Sequence, residues 1–374
     1  MGRLAVAMSG GVDSAVAAAL LVARGDDVVG FTMNLWPTWV AQVEGGHGCC
    51  GIGAIDDARS VARTLGIPHY VLNLREEFER DVIGYFTSEY ARGRTPNPCI
   101  ACNRAIKFSL LLHRVLGLGM DALATGHYAR VDRGPTGRVR LLRAADRRKD
   151  QSYVLSCLTQ EQLARLRFPV GEYTKPQVRE IARRHGLGVA DKPDSQEICF
   201  VPTGDYADVV AQLEPQAVRP GPIYDLEGRH VGEHKGLAHY TVGQRRGLGL
   251  RSERPRYVVT LDPDRNAVIV GDETSVRCPG LVAGDLNWIA IPALDGERSV
   301  AARIRHGSAD IPAVIAPQGS GRVRVTFPEQ PRAAAPGQAI AFYDGDVVLG
   351  GGVIEEIAYA DEGAVWGEGE RCRV

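Results

Sequence analysis

The stretch "RLAVAMSGGVDSAVAAALLVARG", residues 3–25, limits the fold more than any other part of the chain. A short apolar run meets two adjacent glycines, Gly10 and Gly11, and an alanine-rich run then continues to a stop at Gly25. In physical terms this is a strand, a tight turn and a helix. The same grammar continues to about residue 190. "VVGFTMNLW" and "HYVLNL" read as strands around the helix "DDARSVARTLG". "EEFERDVIGYFTSEYARG" and "NRAIKFSLLLHRVLGLG" read as helices, "ALATGH" as a strand, and "SYVLSCLTQEQLARL" and "KPQVREIARRHG" as two further helices. Such alternation predicts an α/β domain with a parallel, doubly wound sheet covered on both faces. Ligands bind at the carboxyl ends of the strands in sheets of this kind.

After about residue 205 the pattern changes. "PGPIYDLEGRHVGEH" and "RYVVTLDPDRNAVIVG" read as hairpins with Gly, Pro and Asp turns. From about residue 280 the segments are short strands: "RVRVTF" alternates strictly, and "AIAFYDGDVVLGGG" is a hairpin around Asp344-Gly345. The 374 residues therefore divide into a catalytic α/β domain (1–205), a small central β-rich domain (206–278) and a C-terminal β-barrel (279–374).

Composition narrows the class. Charged residues are 24% and hydrophobic residues 44%, which is a folded, globular balance. No apolar run is long enough for a membrane span and no secretory signal is visible, so a cytoplasmic protein without membrane attachment is expected. Net charge is −1, so nothing global points to nucleic acid. Locally the balance differs. Arg130–Asp150 holds eight Arg and Lys against three acids, and Lys235–Arg256 holds six against one. Only five residues are lysine, so arginine dominates throughout and weakens each cluster as a signal. Such patches suit RNA or a solvated face equally.

"MSGGVDS", Met8–Ser14, lies at the strand-to-helix turn where a phosphate site belongs. Its glycines let backbone approach an anion, and the helix N-terminus adds partial positive charge. The chain has no Gly-Lys dipeptide, so this is not a Walker A loop. S-G-G-x-D-S resembles instead the pyrophosphate loop of ATP pyrophosphatases, which cleave ATP between the α and β phosphates and adenylate a carbonyl oxygen. Asp13 beside a phosphate suggests an intervening Mg²⁺. Adenylation converts a carbonyl oxygen into a leaving group that ammonia, an amine or a sulfur species displaces.

Eight cysteines point to chemistry or metal rather than structural disulfides in such a chain. "TPNPCIACNRAIKF" holds Cys99 and Cys102. That pair suits half a zinc site, a redox couple or a catalytic thiol. With Pro96 and Pro98 holding the approach extended, a helix is expected to begin near Cys102. Its dipole, with Arg104 and Lys107, would favour a thiolate. Cys199 in "DSQEICFV" is a second candidate. Two thiols suit sulfur insertion: one carries a persulfide, and the other resolves it by thiol–disulfide exchange. Cys49-Cys50 could join the pair in a zinc site, although adjacent cysteines fit tetrahedral geometry poorly. Cys157 reads as a packed apolar residue on a helix.

"MSGGVDSAVAA", "TPNPCIACNRAIKF", "ATGHYAR", "KDQSYVL", "PDSQEICF" and "HYTVGQRRGLG", in that order, closely resemble tRNA-specific 2-thiouridylases over essentially the whole chain. The resemblance implies ATP-dependent sulfur transfer to C2 of the wobble uridine of tRNA. It implies ATP contacts at Val6, Ala7, Met8, Ser9, Gly10, Gly11, Val12, Asp13, Met33 and Gly126. Cys102 matches the nucleophile and Cys199 the persulfide carrier, with a transient disulfide between them. Asn97, Pro98 and Cys99 match the segment at the target base. His127, Lys149, Asp150, Gln151, Arg305, His306 and Gln338 match tRNA-contacting positions. A persulfide donor, a cysteine desulfurase or a sulfur relay protein, is implied as partner, and a monomer is expected. Many relatives carry Asp where this chain has Cys99, which removes the obvious general base. Cys99, Cys102 and Cys199 could then be three ligands of a [4Fe–4S] cluster with one iron open to carry sulfur. The competing functions are a pyrophosphatase making a small-molecule amide or guanidine, and a non-catalytic RNA-binding metal scaffold.

Overall fold

The computed structural model describes residues 2–37, 52–194, 198–201 and 206–358. Cys49, Cys50 and Cys372, and part of the segment before Cys199, lie outside the described residues. No helix among the described residues is long and apolar enough to cross a membrane.

The first domain is built on strands β1 (Arg3–Ala7), β2 (Asp27–Asn34), β3 (His69–Asn73), β4 (Ala122–Ala124) and β7 (Leu166–Arg167). They form a parallel sheet in the order β3-β2-β1-β4-β7. Helix α1 (Val12–Ala23) follows β1, and α2 (Ile52–Leu65) follows β2. Ala17, Ala18 and Ala19 of α1 have no exposed surface. Side chains this small let α1 pack closely between the sheet and its neighbours. The strand order reverses at β1, with β2 on one side and β4 on the other. A crevice therefore opens at the carboxyl ends of β1 and β4.

Two helices cover the opposite face. The first runs through Arg75–Phe78, a π-helical stretch Glu79–Ile83, and Gly84–Ala91. The second runs through Pro98–Ala101, a π-helical stretch Cys102–Leu111, and Leu112–Gly117. The second starts one turn earlier than the sequence suggests. Pro98 occupies the first helical position, where its missing N–H costs nothing. Asn97 Oδ1 caps the helix, accepting from Cys99 N at 3.1 Å and Ile100 N at 3.2 Å.

"SYVLSCLTQEQLARL" is not one helix. It forms a 3₁₀ turn at Ser152–Leu155 and a short helix at Gln160–Ala164. Thr159 and Gln162 form a reciprocal capping box that starts the second piece. Cys157 sits in the turn between them rather than on a helix.

The central domain is a four-stranded sheet of β8 (Gly221–Asp225), β9 (His230–His234), β10 (Tyr257–Asp262) and β11 (Ala267–Gly271), in the order β10-β11-β8-β9. Both expected hairpins form, and β11 pairs parallel with β8. The third domain contains β12 (Gly280–Trp288), β13 (Arg298–Arg303), β14 (Ile311–Gln318), β15 (Arg322–Thr326), β16 (Ala339–Asp344) and β17 (Val347–Ala358). β12 pairs with both β15 and β17, which closes a six-stranded barrel. Val323 and Val325 of "RVRVTF" are fully buried inside it, as the alternation requires.

One hairpin crosses the domain boundary. β5 (Ala129–Arg133) and β6 (Val139–Arg143) belong to the first domain by sequence. Leu141 and Leu142 of β6 pair with Val348 and Val347 of β17, extending the barrel sheet to eight strands. Part of the basic stretch from 130 to 150 is taken up by this junction. Arg130 and Arg147 pair with Asp346. Arg143 lies between Asp150 and Asp310, with its guanidinium 3.6 Å above the centre of the Tyr343 ring.

Candidate active site

The phosphate loop is held open by close backbone packing. Gly10 has φ +67°, and a Cβ there would lie 2.3 Å from the Ala54 carbonyl oxygen. A Cβ on Gly126, just after β4, would lie 2.5 Å from Ser14 N. Only glycine permits the two crevice walls to meet the start of α1 this closely. Gly11 caps α1 with no side-chain hydrogen bond, and Ala15 N is bonded to the Gly11 carbonyl. The first N–H groups of the helix therefore face the crevice, as an anion site needs. Ser14 Oγ organises the turn, accepting from Ser9 N at 3.2 Å and donating to the Gly11 carbonyl at 3.0 Å.

Asp13 is fixed from two sides. It accepts from Lys175 Nζ at 2.8 and 2.9 Å and from the Tyr128 hydroxyl at 2.7 Å. Lys175, only 8% exposed, is shared with Asp194 Oδ1 at 2.7 Å. Asp194 also meets Lys149 at 2.7 Å and Arg179 at 3.2 Å. Burial opposes ionisation of Asp194, but the lysine hydrogen bonds and charges outweigh it and leave its pKa below the ordinary carboxylate value. Burial, with Asp13 beside it, pushes the Tyr128 phenol far up, so it remains a donor. Lys192 Nζ reaches the Gly10 carbonyl at 3.1 Å and Asp57 at 2.6 Å. A ring of cations, Lys149, Lys175, Arg179 and Lys192, thus borders the loop. Sequence reading identified Lys149 but missed Lys175, Arg179 and Lys192. The signal available for Lys175 was its place at the start of a helix with the Thr174/Gln177 capping box.

Cys102 and Cys199 both border the large apolar core of the first domain. Cys102 is 7% exposed within it, and the partly buried Cys199 packs against it. Met33 and Ala7, expected at the nucleotide, belong to the same cluster. Phe200, next to Cys199, makes edge-to-face contacts with Phe78 and Phe86. Cys102 begins the π-helical stretch, and such irregular turns recur at functional sites. Because the helix begins at Pro98, Cys102 lies beyond the first turn, where dipole stabilisation is greatest. Arg104 is engaged by Asp285, and Lys107 Nζ donates to Asn103 Oδ1 at 3.0 Å. The Asn103 amide in turn donates to the Val154 carbonyl at 2.9 Å. Cys157 is half-buried, and its desolvated surroundings push its pKa up to about 12, so it stays a thiol.

Cys99 is exposed whereas Cys102 is buried. Among the described residues, no three His, Cys, Asp or Glu side chains are grouped so as to hold a metal ion. The three cysteines therefore do not fit an iron–sulfur ligand set in this arrangement.

The remaining expected residues divide clearly. His127 packs on Phe108 and Phe168, with Nδ1 2.7 Å from Thr125 Oγ1. Burial and then the charge of Lys107 hold its pKa well below 6.5, so the imidazole is neutral. Gln151 Oε1 accepts from Tyr128 N at 2.9 Å. Asp150 is buried and accepts from Ser152 Oγ at 2.8 Å and Arg303 at 3.2 Å. Its carboxylate ties the first domain to the barrel. Arg305 and His306 are exposed on the loop after β13. The Gln338 amide donates to the Thr95 carbonyl at 3.0 Å. In the central domain Arg245, Arg246, Arg251 and Arg254 are exposed, and none forms an ion pair with another described residue.

A parallel sheet with a glycine-rich phosphate loop at its reversal point, and two thiols in the adjoining apolar cluster, define an ATP-using enzyme of the pyrophosphate-loop class. Family models described as "tRNA methyl transferase HUP domain", "tRNA methyl transferase PRC-barrel domain" and "Aminomethyltransferase beta-barrel domain" match residues 2–203, 208–272 and 279–354. The tRNA-specific 2-thiouridylase MnmA of Carboxydothermus hydrogenoformans is 52% identical, covering 95% of this chain and 98% of its own length. Those of Symbiobacterium thermophilum and Moorella thermoacetica are 54% and 53% identical, each covering 94% of this chain and 92% and 99% of their own lengths. The chain belongs to the tRNA-specific 2-thiouridylase family.

Proposed function

We propose that this protein replaces the C2 oxygen of the wobble uridine of tRNA with sulfur, using ATP. The observation that carries the reading is the glycine-shaped phosphate loop, with Gly10 at φ +67° and Gly126 closed on the start of α1, in a chain of the 2-thiouridylase family whose first-domain core also carries Cys102 and Cys199.

The C2 oxygen attacks the α-phosphorus of ATP, the bond to the β-phosphate bridging oxygen breaks, and pyrophosphate leaves. Backbone N–H groups of the loop, with the Lys175 and Lys192 ammonium groups that border it, would meet the charge that develops on the leaving group. Mg²⁺ carried in with ATP would draw on Asp13, which Lys175 and Tyr128 already orient. Cys199, loaded by a cysteine desulfurase or a relay protein, bears the persulfide. Its terminal sulfur adds to C2 and AMP departs. The Cys102 thiolate then attacks Cys199 Sγ, releasing 2-thiouridine and leaving a Cys102–Cys199 disulfide for an external dithiol to reduce. Apolar surroundings exclude water that would hydrolyse the adenylate. The exposed arginines of the central domain and Arg305 are the surfaces suited to tRNA phosphates. A soluble cytoplasmic monomer agrees with this reading.

The test incubates protein, ATP, unmodified tRNA and a persulfide donor, then digests the tRNA for mass spectrometry. 2-Thiouridine with stoichiometric AMP and pyrophosphate is expected. Formation of ADP and orthophosphate, or modified tRNA without sulfur, would refute the scheme.

A further inference from the structure

The helix that carries Cys102 is held at both flanks by the C-terminal barrel. On its upstream side, Thr95 N donates to the Pro336 carbonyl at 2.8 Å, and Gln338 Nε2 donates to the Thr95 carbonyl at 3.0 Å. The fit is tight: Gly337 has φ +89°, and a Cβ there would lie 3.0 Å from Thr95 N and 3.1 Å from Arg94 Cβ. Two residues beyond Cys102, the Arg104 guanidinium makes a bidentate pair with Asp285, one arm at 2.9 Å. Asp285 sits at φ +47°, a backbone conformation that Asp and Asn tolerate better than other side chains. On the same strand, Asn287 Nδ2 donates to the Ser156 and Leu158 carbonyls at 2.8 and 2.9 Å. This turn follows Val154, whose carbonyl receives Asn103.

We propose that Asp285 and Gln338 are positioning residues for sulfur transfer: the barrel sets where Cys102 stands, through Arg104 and Thr95, as well as offering a surface to tRNA. The idea rests on the thiolation reading for its kinetic test, but its geometric test does not. A bidentate fork fixes direction as well as distance. A small displacement of a reacting group costs rate out of proportion to the distance it moves.

The experiment uses the full chain and the variants Asp285→Asn, Gln338→Ala, and the exchanged pair Arg104→Asp with Asp285→Arg. In single-turnover thiolation at saturating tRNA, Asp285→Asn and Gln338→Ala are expected to lose about 10- to 100-fold in rate, with tRNA Kd unchanged within about twofold in Asp285→Asn, the variant outside the expected tRNA contacts. The exchanged pair is expected to recover at least half of the loss in logarithmic terms. A Kd increase that accounts for the whole loss, or an unchanged rate, overturns the proposal. The second measurement needs neither ATP nor tRNA. Alkylation of Cys102, followed by peptide mass spectrometry, is expected to speed up several-fold in both single variants. Cys278 in the barrel core reports whether the barrel itself has opened. Equal Cys102 rates in all forms, or a parallel rise at Cys278, overturns the positioning role even if the wild-type protein thiolates tRNA. If the wild-type protein makes no 2-thiouridine but the Cys102 rates move as expected, the functional reading fails and the positioning stands.

Discussion

The Lys175 ammonium stands 2.8 Å from Asp13 Oδ1, joining the first turn of α1 to the start of a helix more than 160 residues later. Asp194 holds the same ammonium from the other side. One cation therefore offsets two carboxylates at the mouth of an anion site. Lys175→Met would leave the Asp13 charge uncompensated beside the phosphates, while Lys149 and Arg179 still pair with Asp194. Adenylation, read as pyrophosphate release, is expected to fall by about 100-fold or more, and ATP KM to rise. Activity within twofold of wild type would remove Lys175 from the phosphate site.

The two thiols should be separable from the packed ones. Cys102→Ser and Cys199→Ser are each expected to abolish 2-thiouridine, whereas Cys157→Ser should retain it, because desolvation keeps that thiol protonated. Full product in either of the first two variants would exclude the disulfide route. Under oxidising turnover without a reductant, a Cys102–Cys199 peptide pair should appear in the mass spectrum.

Binding to tRNA should weaken with salt in proportion to the phosphates met. Replacing Arg245, Arg246 and Arg251 together by Ala is expected to lower tRNA affinity and reduce the slope of log K against log salt by about one unit for each phosphate no longer neutralised. Asp150→Asn should behave differently. It loosens the Arg143–Asp150–Arg303 junction, so thermal stability falls while the salt slope stays constant. An unchanged melting temperature with a weakened tRNA Kd would instead make Asp150 an RNA contact.

Acid should destabilise the protein earlier than its carboxylates require. His69, His127 and His234 all have lowered pKa values, each mainly through burial. Below about pH 6.5 the unfolded chain takes up protons at these residues while the folded protein resists. Stability therefore rises with pH through this window and is lost as pH falls below it. Urea titrations at pH 7.5 and 5.5 should show this decline, and His127→Gln should reduce it. A flat profile would mean the imidazoles are protonated in the folded state.

The local code determined much of this protein. Alternating strand and helix segments, each stopped by glycine, imposed the parallel sheet. Gly10 and Gly11 after the first strand imposed the phosphate loop, and the strict alternation of "RVRVTF" imposed a barrel strand. These features depend on contacts within a few residues, so they are written in short stretches. The start of the Cys102 helix was misread by one turn, because Pro98 serves as a first helical residue rather than a barrier once Asn97 caps it. Pairing over long distances was not legible. The hairpin at 129–143 joins the barrel, the arginines around it become internal partners of Asp346 and Asp310, and Lys175 meets Asp13 across most of a domain. Which acid neutralises which base depends on the geometry of the closed chain, and so only the tertiary structure decided what the charges and the two thiols stand beside.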